Sequence, residues 1–146
     1  KSYNDKYGFE HGDEVIKETA RIIIHTSNEY GRNDDFIGHI GGDDLVFISS
    51  PEKIEIISKK IIEEFDKKIP LFYAPEDLKN GYIIAKDRKG ELQKIPLLSV
   101  SIGIVTNEYH NIRHVAQIGE IGAELKAAAK SKERSNYIKD RRQEDR

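Results

Sequence analysis

The spacing of apolar residues along the chain changes from helical to extended and back again. Apolar side chains recur at helical spacing through residues 11–31, and Gly31 is a common C-terminal stop, so this segment is predicted to be a helix. The runs "DFIGHI" and "DLVFIS" that follow are rich in β-branched and aromatic residues, with Gly41, Gly42 and Asp43 between them. This composition predicts a tight β-hairpin.

A second helix is predicted to follow Ser50 and Pro51, which fit an N-terminal cap and a first helical turn. It ends near Lys68, and one face carries apolar residues three or four positions apart: Ile54, Ile57, Ile61 and Phe65. Residues 70–96 contain turn signals around the short run Tyr82–Ala85, which predicts an inserted hairpin.

Residues 97–106 are almost continuously apolar, which is typical of a central strand covered on both faces. Helical spacing returns from Val115 to Ala128, and the segment "SNYIKD" after it predicts a last strand. The order of these elements predicts an α+β fold, in which helices pack on an antiparallel sheet. A chain of 146 residues buries one ordinary core, so a single domain over residues 1–146 is expected.

Composition narrows the class of protein. The 24 basic and 26 acidic residues leave a net charge of −2, which argues against a nucleic-acid binder and makes any basic site local. The absence of cysteine fits a reducing compartment, and no apolar run approaches a membrane span, so a cytoplasmic domain without membrane contact is expected. The chain begins at Lys1 and contains no methionine, and we interpret it as a fragment of a longer protein.

The predicted hairpin turn carries the most informative chemistry. Asp43 and Asp44 are adjacent, and two carboxylates about 4 Å apart repel by about 1 kcal/mol even in water. A divalent cation removes this repulsion, and Mg²⁺ is commonly held by one or two carboxylates together with substrate phosphates. Gly41 and Gly42 lack side chains and would let a nucleotide approach the backbone closely. The alternative is a solvent-exposed turn whose carboxylates are only hydrated.

Five segments, taken in order, resemble the successive motifs of GGDEF domains, the family of diguanylate cyclases. They are "KSYNDKYGFEHGDEVI", "RNDD", "GGDDL", "LSVSIGIV" and "LKAAAKSKERSNYI". The resemblance implies a palm-like fold of the ferredoxin-like, nucleotidyl-cyclase type. It also implies a homodimer that condenses two GTP into cyclic di-GMP with release of pyrophosphate, using Mg²⁺ or Mn²⁺.

The resemblance assigns roles to particular residues. It makes Asp43 a metal ligand, and makes Asp44, at the usual Glu position, the companion acid near the reacting hydroxyl. Asn4 and Asp13 match the guanine-binding pair, and a carboxylate can accept both guanine N1–H and the 2-amino group. The alternative for Asp13 is that Gly12-Asp13 caps the first predicted helix.

Basic and regulatory residues are assigned in the same way. Lys130 and Arg134 match the triphosphate-binding residues, and Lys1 corresponds to a lysine near the same phosphates. The alternative is a solvated helix end whose cations complement the helix dipole, which accounts for Lys132, with Lys126 as a further candidate.

Arg32 and Asp35 fit the Arg-x-x-Asp pattern of the family's inhibitory site for cyclic di-GMP, although a polar loop after a helix gives the same pattern. The five histidines show no metal-ligand spacing and are expected on the surface or in packing roles: His11, His25, His39, His110 and His114.

Some features depart from the family pattern. The family's first metal-binding aspartate lies on a strand before the position of Lys1, so this chain is expected to lack that strand. Asp44-Leu45 replaces Glu-Phe, while Glu133 and Ser135 replace Gly and Asn near the phosphates. The leading hypothesis is the catalytic domain of a longer signalling protein with an upstream sensory or receiver domain. The alternatives are a non-catalytic receptor of GTP or cyclic di-GMP, and a palm domain of another nucleotide cyclase or polymerase.

Overall fold

The computed structural model of the protein describes residues 2–32, 34–108 and 111–142. The chain starts with a short helix, α1 (Ser2–Tyr7), and a long helix, α2 (Phe9–Tyr30). Gly8 separates them with a backbone φ of 94°. The prediction found α2 but not α1, because six residues are too few to show a helical period.

The predicted hairpin is confirmed and consists of β1 (Phe36–Gly41) and β2 (Asp44–Ile48). The strands are antiparallel, with Phe36 opposite Ile48 and Gly41 opposite Asp44. The register shifts between His39 and Gly41, so the strand is irregular just before the turn. Such irregularities increase strand twist and redirect side chains near the end of a hairpin.

The second predicted helix is α3 (Ile54–Lys68), followed by a 3₁₀ turn (Ile69–Phe72) and a short helix, α4 (Pro75–Asn80). The helix begins three residues later than predicted. The Ser50 carbonyl accepts hydrogen bonds from the Lys53 and Ile54 N–H groups, so Ser50 contributes its backbone and not a hydroxyl cap.

The inserted hairpin is also confirmed, as the antiparallel pair β3 (Tyr82–Lys86) and β4 (Leu92–Pro96). The rest of the chain forms β5 (Ser101–Ile104), α5 (Val115–Lys130) and β6 (Asn136–Lys139). The strand predicted over residues 97–106 is therefore shorter, with four residues in the ladder.

The α+β class is confirmed, but the strands do not form the single antiparallel sheet that was predicted. Within the described ranges they form three two-stranded sheets, β1-β2, β3-β4 and β5-β6, and the last pair is parallel. The reason is the connection: α5 carries the chain from the end of β5 back to its start, and a crossover of this kind produces parallel strands.

The core lies where α2 and α3 pack together and meet the inner side of β5. Its central members are apolar residues that are at most 5% exposed: Ile22, Ile23, Ile57, Ile61, Phe65 and Ile104. Helix α5 covers β5 with Leu125 and Ala129, both buried. This packing brings the C-terminal half of α5 close to the acidic hairpin turn. No helix in the described part of the chain is long and apolar enough to cross a membrane.

Candidate functional site

The acidic turn is a two-residue loop, Gly42 and Asp43, closed by the pair Gly41 and Asp44. Gly42 has a φ of 55°, which suits the hairpin turn that places glycine at its first central position. The His39 ring donates a hydrogen bond from Nε2 to the Gly42 carbonyl at 2.7 Å. The turn is thus braced by its own strand, and both carboxylates lie at the hairpin tip.

The two carboxylates have different surroundings. Asp43 is exposed, whereas Asp44 is half-buried and its Oδ1 accepts a hydrogen bond from Lys126 Nζ at 2.9 Å. This hydrogen bond lowers the pKa of Asp44, and the charge of Lys130, one helical turn beyond Lys126, adds to the effect. The structure therefore brings Asp43, Asp44 and Lys130 to one place.

Sequence reasoning missed Lys126, which it interpreted as a candidate for a solvated helix end. The available signal was its spacing: Lys126 and Lys130 are four residues apart and lie on one face of α5. This face points toward the hairpin because Leu125 and Ala129 are buried on the adjacent face.

A cleft of about 480 Å³ opens beside the turn. Its mouth is charged, and the charged residues that line it come from the hairpin tip and from the end of α5: Asp43, Asp44, Lys126, Lys130, Lys132 and Glu133. Its body is apolar and reaches Ile61, Phe65 and Ile102 in the core. A polar triphosphate matches the mouth and not the body.

Two walls of the cleft contain the edges of β2 and β5. Residues 43–47 and 96–105 line it without a break. Side chains of a strand alternate between two faces, so an unbroken run means that the backbone edge borders the cleft. Within the described ranges, β2 pairs only with β1 and β5 pairs only with β6. Both edges that face the cleft are therefore open.

The acidic pair fits a small divalent cation only together with other ligands. In the described part of the chain, no group of three or more metal-ligating side chains comes together. Two adjacent carboxylates beside lysines still suit Mg²⁺, which usually keeps several waters and binds through one or two carboxylates and substrate phosphates. The donor set is thus compatible with a cation that arrives with a nucleotide.

Asn4 and Asp13 are not among the residues that line the cleft. Asn4 is half-buried on α1, and its carboxamide lies against Gly12 so closely that a Cβ at Gly12 would overlap it. Asp13 is the next residue on α2 and is exposed. The structure therefore brings Asn4 to the helix turn that carries Asp13.

The other residues predicted to bind phosphate are Lys1 and Arg134. Lys1 lies outside the described residues. Arg134 is exposed, does not line the cleft, and its carbonyl accepts a hydrogen bond from Asn136 Nδ2 at 2.9 Å. Ser135 holds this loop to its surroundings, because its hydroxyl donates to Asp66 at 2.6 Å and accepts from the Val100 N–H at 3.0 Å.

Asp35 of the predicted inhibitory site has local partners. Its Oδ2 accepts hydrogen bonds from the Arg32 N–H at 3.0 Å and from the Ser49 hydroxyl at 2.8 Å. These contacts tie the loop after α2 to the end of β2. Arg32 itself is exposed, so its guanidinium can reach a ligand from solvent.

Comparison with known proteins gives one family. Residues 1–79, more than half of the 146 residues, match the family model described as "Diguanylate cyclase, GGDEF domain". The matched region includes α1, α2, the acidic hairpin and α3. Neither the curated proteins nor the solved structures contain a significant match to the chain.

Proposed function

This chain belongs to the GGDEF domain family, and from that premise we propose that it is a diguanylate cyclase domain that condenses two GTP into cyclic di-GMP. In this reaction each ribose 3′-oxygen forms a bond to the α-phosphorus of the opposite GTP. The bond from that phosphorus to the β-phosphate oxygen breaks, and pyrophosphate leaves. The observation that carries the proposal is the joint placement of the acidic turn and two lysines at the mouth of one cleft.

The residues of the chain have complementary roles in this proposal. Asp43 and Asp44 would hold Mg²⁺ or Mn²⁺, which when bound lowers the pKa of the attacking hydroxyl and neutralises phosphate charge. Lys130 and Lys126 neutralise the triphosphate, and Gly41 and Gly42 leave room for it, since a Cβ at either glycine meets no atom within 4 Å. The reaction needs two aligned GTP molecules, so a homodimer supplies the orientation.

Several finer assignments belong to the same proposal. Asn4 and Asp13 bind the guanine edge, Lys1 and Arg134 assist at the phosphates, and Arg32 with Asp35 binds cyclic di-GMP to inhibit the enzyme. The parent protein works in the cytoplasm, where an upstream sensory or receiver domain controls dimerisation. The exposed Arg32 side chain and the contact between Asn4 and Gly12 support the inhibitory and guanine assignments respectively.

The test is incubation of the parent protein with Mg²⁺ and GTP, followed by chromatographic detection of cyclic di-GMP. We expect product from the wild type, none from Asp43→Ala, and weaker product inhibition in Arg32→Ala. The matched control for Asp43→Ala is Asp34→Ala, because Asp34 is an exposed acidic residue outside the cleft lining. Product from ATP instead of GTP would favour another nucleotide cyclase.

A second candidate function is a binding module without turnover. The observation that favours it is the Lys126–Asp44 ion pair, since a lysine already neutralises the carboxylate that a metal would need. GTP or cyclic di-GMP binding by the parent protein without pyrophosphate release would support this function, and release of pyrophosphate would contradict it.

We also propose that an extended segment upstream of α1 fills the body of the cleft as an additional strand. The two open strand edges and the apolar walls support this, because an inserted strand satisfies backbone groups on both sides. The first turn of α1 is linked to the cleft lining: the Tyr3 ring contacts the Tyr73 ring, whose hydroxyl accepts from the N–H of Leu98, a cleft residue, at 2.8 Å.

Hydrogen exchange tests this strand. In the parent protein, the amides of β2 and β5 that face the cleft should be protected, and they should exchange faster in the 146-residue chain. Equal exchange in the two proteins would contradict an inserted strand.

A further inference from the structure

Helix α1 is held in place by a segment distant in sequence. Isolated helices of six residues are not stable in water, so α1 depends on tertiary contacts. The contacts come from Phe72, Tyr73, Ala74 and Asp77, which we call the α1 clamp. The clamp follows α3 and lies at the start of the inserted region.

Asp77 is the buried centre of the α1 clamp. It is 4% exposed, and its Oδ1 lies 2.6 Å from Lys6 Nζ, while the Tyr7 hydroxyl donates a hydrogen bond to Oδ2. Both partners lie on the last turn of α1. The hydrogen bonds from Lys6 and then from Tyr7 lower the pKa of Asp77, so the carboxylate stays charged. A buried carboxylate needs such partners, which makes this contact specific.

The tyrosines extend the contact to the first turn of α1. The Tyr3 hydroxyl donates to the Phe72 carbonyl at 2.6 Å, and the Ala74 N–H donates to the Tyr7 hydroxyl at 3.0 Å. The Tyr73 ring packs edge-on against the rings of Tyr3 and Tyr7, with centroids 5.3 and 5.6 Å apart. Edge-to-face aromatic pairs at such distances are favourable. Both turns of α1 are therefore fixed to the clamp.

Asn4 lies between these anchor points. It follows Tyr3 in α1, and its carboxamide lies against Gly12, the residue before Asp13. Any displacement of α1 therefore moves the Asn4 carboxamide relative to Asp13. The position of Asn4 relative to Asp13 is therefore set by α1, and the position of α1 is set by the clamp.

We infer that Asp77 is a positioning residue for base recognition, acting through Lys6 and Tyr7 on Asn4. The inference rests on the proposed function, because Asn4 matters only if it contacts the guanine edge. The inference gives a role to Phe72–Asp77, a segment without a part in the chemistry proposed at the acidic hairpin. In this role the segment sets the selectivity for guanine. The inference predicts different effects on the two parts of the nucleotide. Loss of the clamp should weaken recognition of the base more than recognition of the phosphates.

The first experiment measures the clamp without any nucleotide. Asp77→Asn removes the carboxylate charge, and Tyr7→Phe removes the hydroxyl that contacts Asp77 and the Ala74 N–H, both at nearly constant volume. Glu76→Gln is the matched control, because Glu76 is the exposed neighbour of Asp77 on α4. Hydrogen exchange is followed at the Gly8 amide, which donates to the Asn4 carbonyl at 2.7 Å. We expect about tenfold faster exchange in the two clamp variants, the effect of losing a hydrogen bond to a charged group, and wild-type exchange in Glu76→Gln. Unchanged exchange in both clamp variants overturns the proposal.

The second experiment compares binding of GTP and of ATP, which carries adenine on the same ribose triphosphate, to the same proteins with Mg²⁺. We expect the GTP-to-ATP affinity ratio to fall by about tenfold in the clamp variants, while ATP affinity changes little. Equal losses for both nucleotides would mean that the clamp only stabilises the fold, which overturns the positioning role.

Failure of the proposed guanine site can be distinguished from failure of the clamp to hold α1. A wild-type chain that does not prefer GTP to ATP contradicts the proposed guanine site and, with it, the role of Asp77 in selectivity. In that case the exchange of the Gly8 amide still reports whether the clamp holds α1.

Discussion

At the scale of single residues, the acidic turn shows how adjacent identical side chains acquire different properties. Asp43 is exposed, whereas Asp44 is hydrogen-bonded to Lys126 and close to Lys130. The repulsion expected between the two carboxylates is therefore partly compensated by lysines of α5. This neutralisation comes from another element, so the turn sequence alone could not reveal it.

Substitution of Lys126 tests this compensation. In Lys126→Met the pKa of Asp44 should rise toward its ordinary value of about 4, because the hydrogen bond that lowers it is removed. The free energy of unfolding should fall by no more than about 1 kcal/mol, since the pair is half-exposed. Carbon-13 NMR titration of the Asp44 carboxyl measures the shift.

The matched control is Lys132→Met, because Lys132 lines the same cleft without a hydrogen bond to Asp44. It should leave the pKa of Asp44 close to the wild-type value. An equal change in both variants would show that Asp44 responds to the general positive charge of the cleft and not to one partner.

At the scale of elements, the contact between α1 and α2 depends on a glycine within a helix. Glycine inside a helix usually costs about 1 kcal/mol relative to alanine. Gly12 is buried in α2, and the Asn4 carboxamide occupies the space that a Cβ would need. The glycine thus weakens α2 locally and lets α1 place Asn4 beside it.

Gly12→Ala should weaken GTP binding while changing the stability of the fold only slightly. The added Cβ has to push the Asn4 carboxamide aside, so GTP affinity should fall by roughly tenfold if Asn4 binds guanine. The free energy of unfolding should change by less than about 1 kcal/mol, because the gain in helix propensity offsets the displaced side chain. Titration calorimetry and thermal denaturation measure the two effects.

Gly119→Ala in α5 is the control for this experiment. Gly119 is exposed, and a Cβ there meets no atom within 4 Å. This variant should become more stable by about 0.5–1 kcal/mol and bind GTP as the wild type does. Wild-type GTP binding by Gly12→Ala would instead mean that Asn4 does not contact the nucleotide.

At the scale of the whole molecule, ion pairs connect elements that are distant in sequence. Lys68 of α3 hydrogen-bonds Glu18 of α2, and Lys6 of α1 hydrogen-bonds Asp77 of α4. Together with the pair between β2 and α5, these contacts tie most helices to a neighbour. In each pair a hydrogen bond from lysine is the largest cause of a lowered carboxyl pKa.

This predicts loss of stability in acid. A carboxyl whose folded-state pKa is lowered contributes stability above its unfolded pKa, and that contribution is lost as the pH falls through the folded value. The melting temperature should therefore be nearly constant from about pH 7 to pH 5 and decrease below about pH 4. Circular dichroism melting curves over this range measure it.

Asp77→Asn identifies one source of the acid sensitivity. It should melt at a lower temperature than the wild type at neutral pH, and the difference should shrink as the pH decreases below about 4. A constant difference at every pH would mean that the charge of Asp77 has no part in it.

Local patterns were sufficient for the helices with a long apolar period and for both hairpins. The spacing of Ile57, Ile61 and Phe65 predicted α3 because one buried face repeats along the helix, and the glycines before Asp43 predicted the turn. Such features depend on neighbours in sequence. The sequence also predicted Asp43, Asp44 and Lys130 as members of one site, from motifs that resemble those of a known family.

Only the tertiary structure decided how elements meet. It revealed α1, which is too short for a periodic signal and is held by Asp77, and it paired Asp44 with Lys126, 82 positions away. It also made β5 and β6 parallel and left two strand edges facing one cleft. These features depend on contacts between distant segments, and the energy of such a contact exists only once the intervening chain has folded.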